Sequence, residues 1–323
     1  MVTIYSKKYN YIQIYIPKCA CSVIRRAFID IHKSEFTEEH SLFLQKNGIH
    51  KLGSLFPPLE PNLMYNKPKI LMCRSPYTRA LSAYYDKFLT INARRWDSST
   101  PNHIKNGNDW KTCKLYNLHT LYQTTNSKQA LIDCINLTQY HKESPSINQL
   151  FEILKIKESP LLQVDDSFLS YLNFINFCYT EGIHSHKHLV FDEHHYHQTH
   201  TLLRYNLDTI FSSNIKIAKL EDGFEQFYNY LFEILPENKA IEAKKIYETI
   251  LQDKKFQNSS ISKNAYVDNI FYDKENSKFL YSVRDQTKML PHNNNMLSKK
   301  CIELINSIYN NDFKYLKYDK ITT

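Results

Sequence analysis

The first clear pattern along the chain is the run Y-I-Q-I-Y-I over residues 11–16, aromatic or β-branched at every position but Gln13 and stopped by Pro17. From there to Ile31 apolar residues recur at helical spacing, so the segment reads as strand, tight loop and helix. The same unit returns further on. Residues 69–73 form a short apolar strand, Pro76 opens a helix, and Ala80, Leu81, Tyr84 and Phe88 mark its buried face. Two strand–loop–helix units predict an α/β fold built on a parallel sheet flanked by helices.

A third sheet strand is expected over residues 214–220, passing through Glu221-Asp222-Gly223 into a helix over 224–235. Helices are expected over 238–251 and 297–310, the latter closing a helical C-terminal part, and a loop over 257–269. Residues 97–159 are polar and Asn-rich, with helices expected around 127–135 and 147–156. The chain is read as one domain over 1–323 in which residues 97–180 form a largely helical insertion or lid. No internal repeat is visible.

Composition narrows the picture. Apolar residues make up 42% of the chain, enough for a sizeable core, while five glycines and eleven prolines argue against collagen-like or linker-rich disorder. The abundance of Lys, Asn, Ile and Tyr fits an AT-rich, bacterial genome. A net charge of +8 favours an anionic partner without choosing between nucleotide, nucleic acid and acidic glycan. The seven cysteines are scattered and odd in number, with no C-x-x-C pair, which suggests neither zinc nor a disulfide framework and fits a reducing compartment. The stretch over 4–16 is broken by Lys7, Lys8, Asn10 and Gln13, so no signal peptide or membrane span is expected and the protein reads as cytoplasmic, with peripheral membrane association left open.

The chemistry concentrates where strands hand over to helices. Pro17-Lys18-Cys19-Ala20-Cys21-Ser22 follows the first strand. A helix N-terminus offers outward N–H groups and a positive dipole end, Lys18 adds a full charge, the small residues at 19–21 admit close backbone approach, and Ser22 can cap the helix or bond a phosphate oxygen. No G-x-x-x-x-G-K-[ST] run is present, which counts against an ATP or GTP P-loop. The second strand is followed by Arg74-Ser75-Pro76-Tyr77-Thr78-Arg79 and then Ala80-Leu81-Ser82-Ala83-Tyr84-Tyr85-Asp86-Lys87-Phe88. Here Arg74 and Ser82 can hold a second phosphate, with Arg supplying a forked donor set.

These two runs resemble those of the sulfotransferases that use 3′-phosphoadenosine-5′-phosphosulfate (PAPS), and within them the carbohydrate branch, sulfotransferase family 2. That branch carries a P-K-[small]-x-[small]-S loop and an R-x-P-x-x-R-x-x-S-A-Y-x-x-[KR]-F run, although it often has Asp where this chain has Ser75. The stretch Ile217-Ala218-Lys219-Leu220-Glu221 is similar to the family's strand ending in Glu. The stretch Ile308-Tyr309-Asn310-Asn311-Asp312-Phe313, continued by Lys314-Tyr315-Leu316-Lys317-Tyr318, is similar to its terminal Y-x-x-D-F-x-x-[FL]-x-Y. The resemblance implies a P-loop-like fold and PAPS as co-substrate, with Pro17, Lys18, Cys19, Ala20, Cys21 and Ser22 around the 5′-phosphosulfate and Arg74 and Ser82 on the 3′-phosphate. It further implies sulfuryl transfer to a carbohydrate hydroxyl, no metal and no nucleic acid partner. Residues 97–180 match no motif of the family, and acceptor choice is assigned to them.

Sulfuryl transfer needs a base for the acceptor proton and positive charge at the departing oxygen, the latter suited to Lys18. Candidate bases cluster in Asp192-Glu193-His194-His195-Tyr196-His197-Gln198, after His184, His186 and His188. The family's H-x-x-P-Q element sets His194 as the base, with His197 in the proline's place; His195, His197 and Glu221 are the next choices. Two other readings compete. A kinase of a small molecule or glycan lacks its Gly-rich loop and Mg²⁺-binding carboxylates here. A non-catalytic basic module for anions remains as the third, and a His-rich tract can also bind a transition metal.

Overall fold

The computed structural model describes residues 3–84, 88, 110–140, 151–156, 165, 167–183, 195–253, 272–273, 278–279 and 296–323. The chain folds as two compact units, one of residues 1–79, 197–260 and 311–319, the other of residues 80–196, 261–310 and 320–323.

The first unit holds a four-stranded sheet in the order β1-β2-β3-β4, with β1 Thr3–Ser6, β2 Tyr11–Ile14, β3 Lys69–Cys73 and β4 Ile215–Lys219. The three strands read from the sequence are the three that pair in parallel, Ile14 opposite Leu71 and Leu71 opposite Ile217. β1 adds an antiparallel edge that the pattern did not single out, Thr3 opposite Ile14 and Ser6 opposite Tyr11. It returns through a short turn in which Asn10 takes the left-handed conformation (φ 58°) that Asn tolerates better than most residues.

The period of two decides which face each strand residue covers. Tyr11, Tyr15, Ile70 and Met72 join Val23, Ile24, Ala27 and Phe28 of α1 (Cys21–Ile31), together with Phe227, Leu231 and Tyr247 from the helices Glu225–Ile234 and Glu237–Gln252. Ile12, Ile14, Ile16, Leu71 and Cys73 face the other way, onto Met64, Leu202, Tyr205, Ile210 and Leu316. Covering both faces suits a parallel sheet, and each buried side chain of this size contributes about 1.5–3 kcal/mol.

The helices α2 (Glu38–Asn47) and α3 (Pro61–Asn66) fill the crossover from α1 to β3. The next helix, α4 (Pro76–Ala83), starts in the first unit and passes into the second. The second unit is largely helical, with helices Trp110–Thr125, Lys128–Tyr140, Phe168–Thr180 and Lys299–Ile308 among its described residues. Its core includes a ring cluster in which Tyr84 lies 5.0 Å from Phe168 and Phe88 lies 4.9 Å from His119. Of the helix expected at 147–156, residues 151–153 are helical and 147–150 lie outside the described residues, as does the loop expected at 257–269. No helix among the described residues is long and apolar enough to cross a membrane.

Candidate active site

The loop after β2 has an unusual backbone. Pro17, three residues past β2, has no N–H to donate, and the Cys19 N–H turns back to the Ile16 carbonyl at 3.2 Å. Lys18 (φ 67°) and Ala20 (φ 54°) are both left-handed without being glycine, which costs roughly 1–2 kcal/mol per residue. Such strain persists only where neighbours hold it, and it gathers at ligand sites. Left-handed residues on both sides of Cys19 bend the chain sharply between β2 and α1.

α1 begins at once, with Ala20 as its N-cap, no side chain capping it and no acidic residue in its first turn. No acidic residue of the first turn therefore offsets its positive end. Lys18 and Ser22 are half-buried at the rim, while Pro17, Cys19 and Cys21 are buried. The Cys19 thiol donates to Gln198 Oε1 at 3.2 Å, and burial pushes its pKa well up, so it stays a neutral packing group.

The second strand end is equally well held. The Arg74 N–H donates to Gln198 Oε1 at 2.9 Å and its Nε–H to Thr78 Oγ1 at 3.1 Å. Glu221 accepts from the Ser75 N–H (2.8 Å) and Thr78 Oγ1 (3.2 Å) through Oε1, and from the Tyr318 hydroxyl (2.9 Å) through Oε2. Oε1 therefore serves the start of α4, where a negative charge is favourable, while Oε2 ties the carboxylate to Tyr318. Burial, then Cys73 and Glu221, raise the Tyr318 pKa, so that hydroxyl remains a donor. Ser82 lies half-buried in the second turn of α4.

Three residues that sequence reasoning did not assign to the site tie these parts together. Gln198 Nε2 donates to the Arg74 carbonyl at 2.7 Å. The buried Asp312 accepts from the backbone N–H groups of Gln198 (2.8 Å) and Thr199 (3.0 Å). Arg79, also buried, donates from Nε to the Pro17 carbonyl at 3.0 Å. Burial raises the Asp312 pKa, against which the Arg79 charge and the donated N–H bonds act. The available signal was a charge on an apolar helix face, as in Asp312-Phe313 and Arg79-Ala80-Leu81.

The histidines divide. His184, His186, His188 and His194 lie outside the described residues. His195, in the second unit, is buried; its Nδ1 is 2.6 Å from the Tyr171 hydroxyl, and its carbonyl accepts from the Tyr309 hydroxyl at 3.2 Å. His197, half-buried in the first unit, has its ring 6.5 Å from that of His200. Among the described residues no group of three or more His, Cys, Asp or Glu side chains is arranged to hold a metal ion.

No curated protein and no solved structure matches the chain. The family model described as the sulfotransferase family matches residues 2–319, and with nearly its whole length accounted for in this way the chain belongs to the sulfotransferase family.

Proposed function

We propose that the chain transfers a sulfuryl group from PAPS to a carbohydrate hydroxyl, on a P-loop-like arrangement of sheet, loop and helix. The observation that carries this reading is the strained loop at Lys18 and Ala20 opening onto the uncapped N-terminus of α1. The first turn of α1 carries no acidic residue, and the small residues of the loop leave its backbone approachable. A 5′-phosphosulfate fits such a donor set.

The bound donor supplies a sulfur whose bond to the bridging phosphate oxygen breaks as a bond to the acceptor oxygen forms. In this reading, Lys18 places its charge at that departing oxygen, where negative charge collects, and Ser22 and the loop amides hold the anion. Arg74 takes the 3′-phosphate through its guanidinium, joined on motif spacing by Ser82. His194 accepts the acceptor's proton, with His195 and His197 as the alternatives within the tract. Glu221, whose Oε1 accepts from the Ser75 N–H and whose Oε2 accepts from the Tyr318 hydroxyl, is the orienting carboxylate or the next choice of base.

The acceptor class follows from the likeness to the carbohydrate branch and from the net charge of +8, which suits an anionic or neutral glycan. Acceptor choice is assigned to residues 97–180. Cys19, Cys21 and Cys73 are buried and unbridged, which supports a reducing, cytoplasmic setting.

The test has two parts. Adenosine 3′,5′-bisphosphate and ATP are compared for their effect on the melting temperature, and labelled sulfate from PAPS is offered to a panel of unsulfated polysaccharides. Stabilisation by the bisphosphate alone with label on a glycan supports the reading. Equal stabilisation by ATP with no transfer to any glycan rejects it.

A further inference from the structure

β2 and β3 run side by side, and their last paired residues are Ile14 and Leu71. The ladder stops there, and three residues further on Pro17 has no N–H to offer and Lys18 turns left-handed. The two segments are nonetheless joined again, by a side chain from a distant part of the sequence.

The Gln198 carboxamide bonds Arg74 as a neighbouring strand residue would: Oε1 accepts the Arg74 N–H at 2.9 Å and Nε2 donates to the Arg74 carbonyl at 2.7 Å. The same Oε1 accepts the thiol of Cys19 at 3.2 Å, at the centre of the strained loop. Gln198 is itself held from behind, since its backbone N–H donates to the buried Asp312 at 2.8 Å. A buried amide with both ends engaged and a fixed backbone has one position open to it.

We propose that Gln198 is a positioning residue whose amide fixes the distance between the 17–22 loop and Arg74, so that a nucleotide anionic at both its 3′ and 5′ positions engages the two at once. The proposal rests on the donor reading given above. A ligand that bridges two subsites gains over its halves only if the subsites are already held at the matching span. Loosening the amide leaves each subsite its own groups, Lys18 and the α1 N–H groups on one side and the Arg74 guanidinium on the other. Only the two-ended ligand loses by it.

Binding of adenosine 3′,5′-bisphosphate, adenosine 5′-monophosphate and adenosine 3′-monophosphate to the full chain is measured by calorimetry for wild type, Gln198→Ala and Cys19→Ala. Gln198→Ala is expected to weaken the bisphosphate about ten-fold or more while each monophosphate changes by less than about three-fold. Equal weakening of all three ligands, or an unchanged bisphosphate, overturns the proposal. Should Gln198→Ala fail to fold, Cys19→Ala, which removes the thiol donor alone, must show the same selective loss, and an unselective or absent effect there overturns it equally. A wild-type protein that binds the bisphosphate no better than the 5′-monophosphate overturns the donor reading and the proposal together, which separates that failure from one confined to the variants.

Discussion

Arg79 and Pro17 are joined by a buried hydrogen bond of 3.0 Å, from the guanidinium Nε–H of one to the carbonyl of the other. The same guanidinium charge opposes the burial cost of the Asp312 carboxyl. Replacing Arg79 by Ala therefore removes a loop anchor and uncovers a buried acid, for which the cost is about 3–5 kcal/mol. Urea unfolding of the variant measures it, and adding Asp312→Asn should recover part of the loss. A cost for Arg79→Ala of less than about 1 kcal/mol would show that the Asp312 network stands without it.

Lys18→Ala should remove most turnover, because the charge aimed at the departing oxygen is gone. By comparison with the loss of one oxyanion donor, the barrier rises by about 2.7–4 kcal/mol. Initial rates of sulfate transfer at saturating donor give the answer, and wild-type kcat in a folded variant rules out the loop assignment.

Arg74→Ala and Ser82→Ala should weaken adenosine 3′,5′-bisphosphate far more than adenosine 5′-phosphosulfate, which has no 3′-phosphate. The loss of a charged hydrogen bond from Arg74 is worth about 1.5–3 kcal/mol. Equal losses for both ligands would assign these residues to the fold or to another phosphate.

Within the histidine tract, His194→Ala should lower kcat by about 10²–10⁴-fold with donor affinity little changed, and should abolish the acidic limb of the kcat–pH profile. His195→Ala and His197→Ala are the internal controls. The first also breaks the 2.6 Å contact with Tyr171, so its melting temperature should fall whether or not its rate does. If one of these controls loses kcat and His194→Ala does not, the base has been assigned to the wrong histidine.

Three strands, the helices that follow them and the two loops that join β2 to α1 and β3 to α4 were legible in the sequence, because alternation and punctuation are local. Residues 69–73 show it best: five buried positions bounded by Pro68 and Arg74 leave little other reading. β1 escaped because a four-residue strand with Thr3, Ser6 and two lysines after it carries almost no pattern of its own. The helix Phe168–Thr180 escaped for the opposite reason. It is apolar on nearly all sides, so it lacks a polar face to set its period. The clamp of Gln198, Asp312 and Arg79 escaped because its bonds join residues far apart in sequence, and no spacing rule reaches across 124 positions from Arg74 to Gln198.

His119 should make the fold sensitive to acid. It is buried between Phe88 (4.9 Å) and Phe174 (5.5 Å), and burial, partly offset by Asp165 and Ser170, pushes its pKa down to about 4. The unfolded chain takes up that proton near pH ~6.5, whereas the folded chain does so only near pH 4. Stability from this group is complete above the unfolded value, declines as pH falls through the interval, and levels off below it, a change on the order of 3 kcal/mol. Unfolding curves at a series of pH values test it; His119→Gln should flatten the decline, and an unchanged slope in that variant would place the sensitivity elsewhere.

The bonds around Gln198 also bear on the order of events during synthesis. The contact that shapes the 17–22 loop comes from a residue 179 positions later, and that residue is secured by Asp312 another 114 positions on. Strand β2 and helix α1 can be made early, yet the ribosome must deliver Asp312 before the loop between them acquires its final geometry. A growing chain would then hold this loop in its final shape only once synthesis has passed that residue.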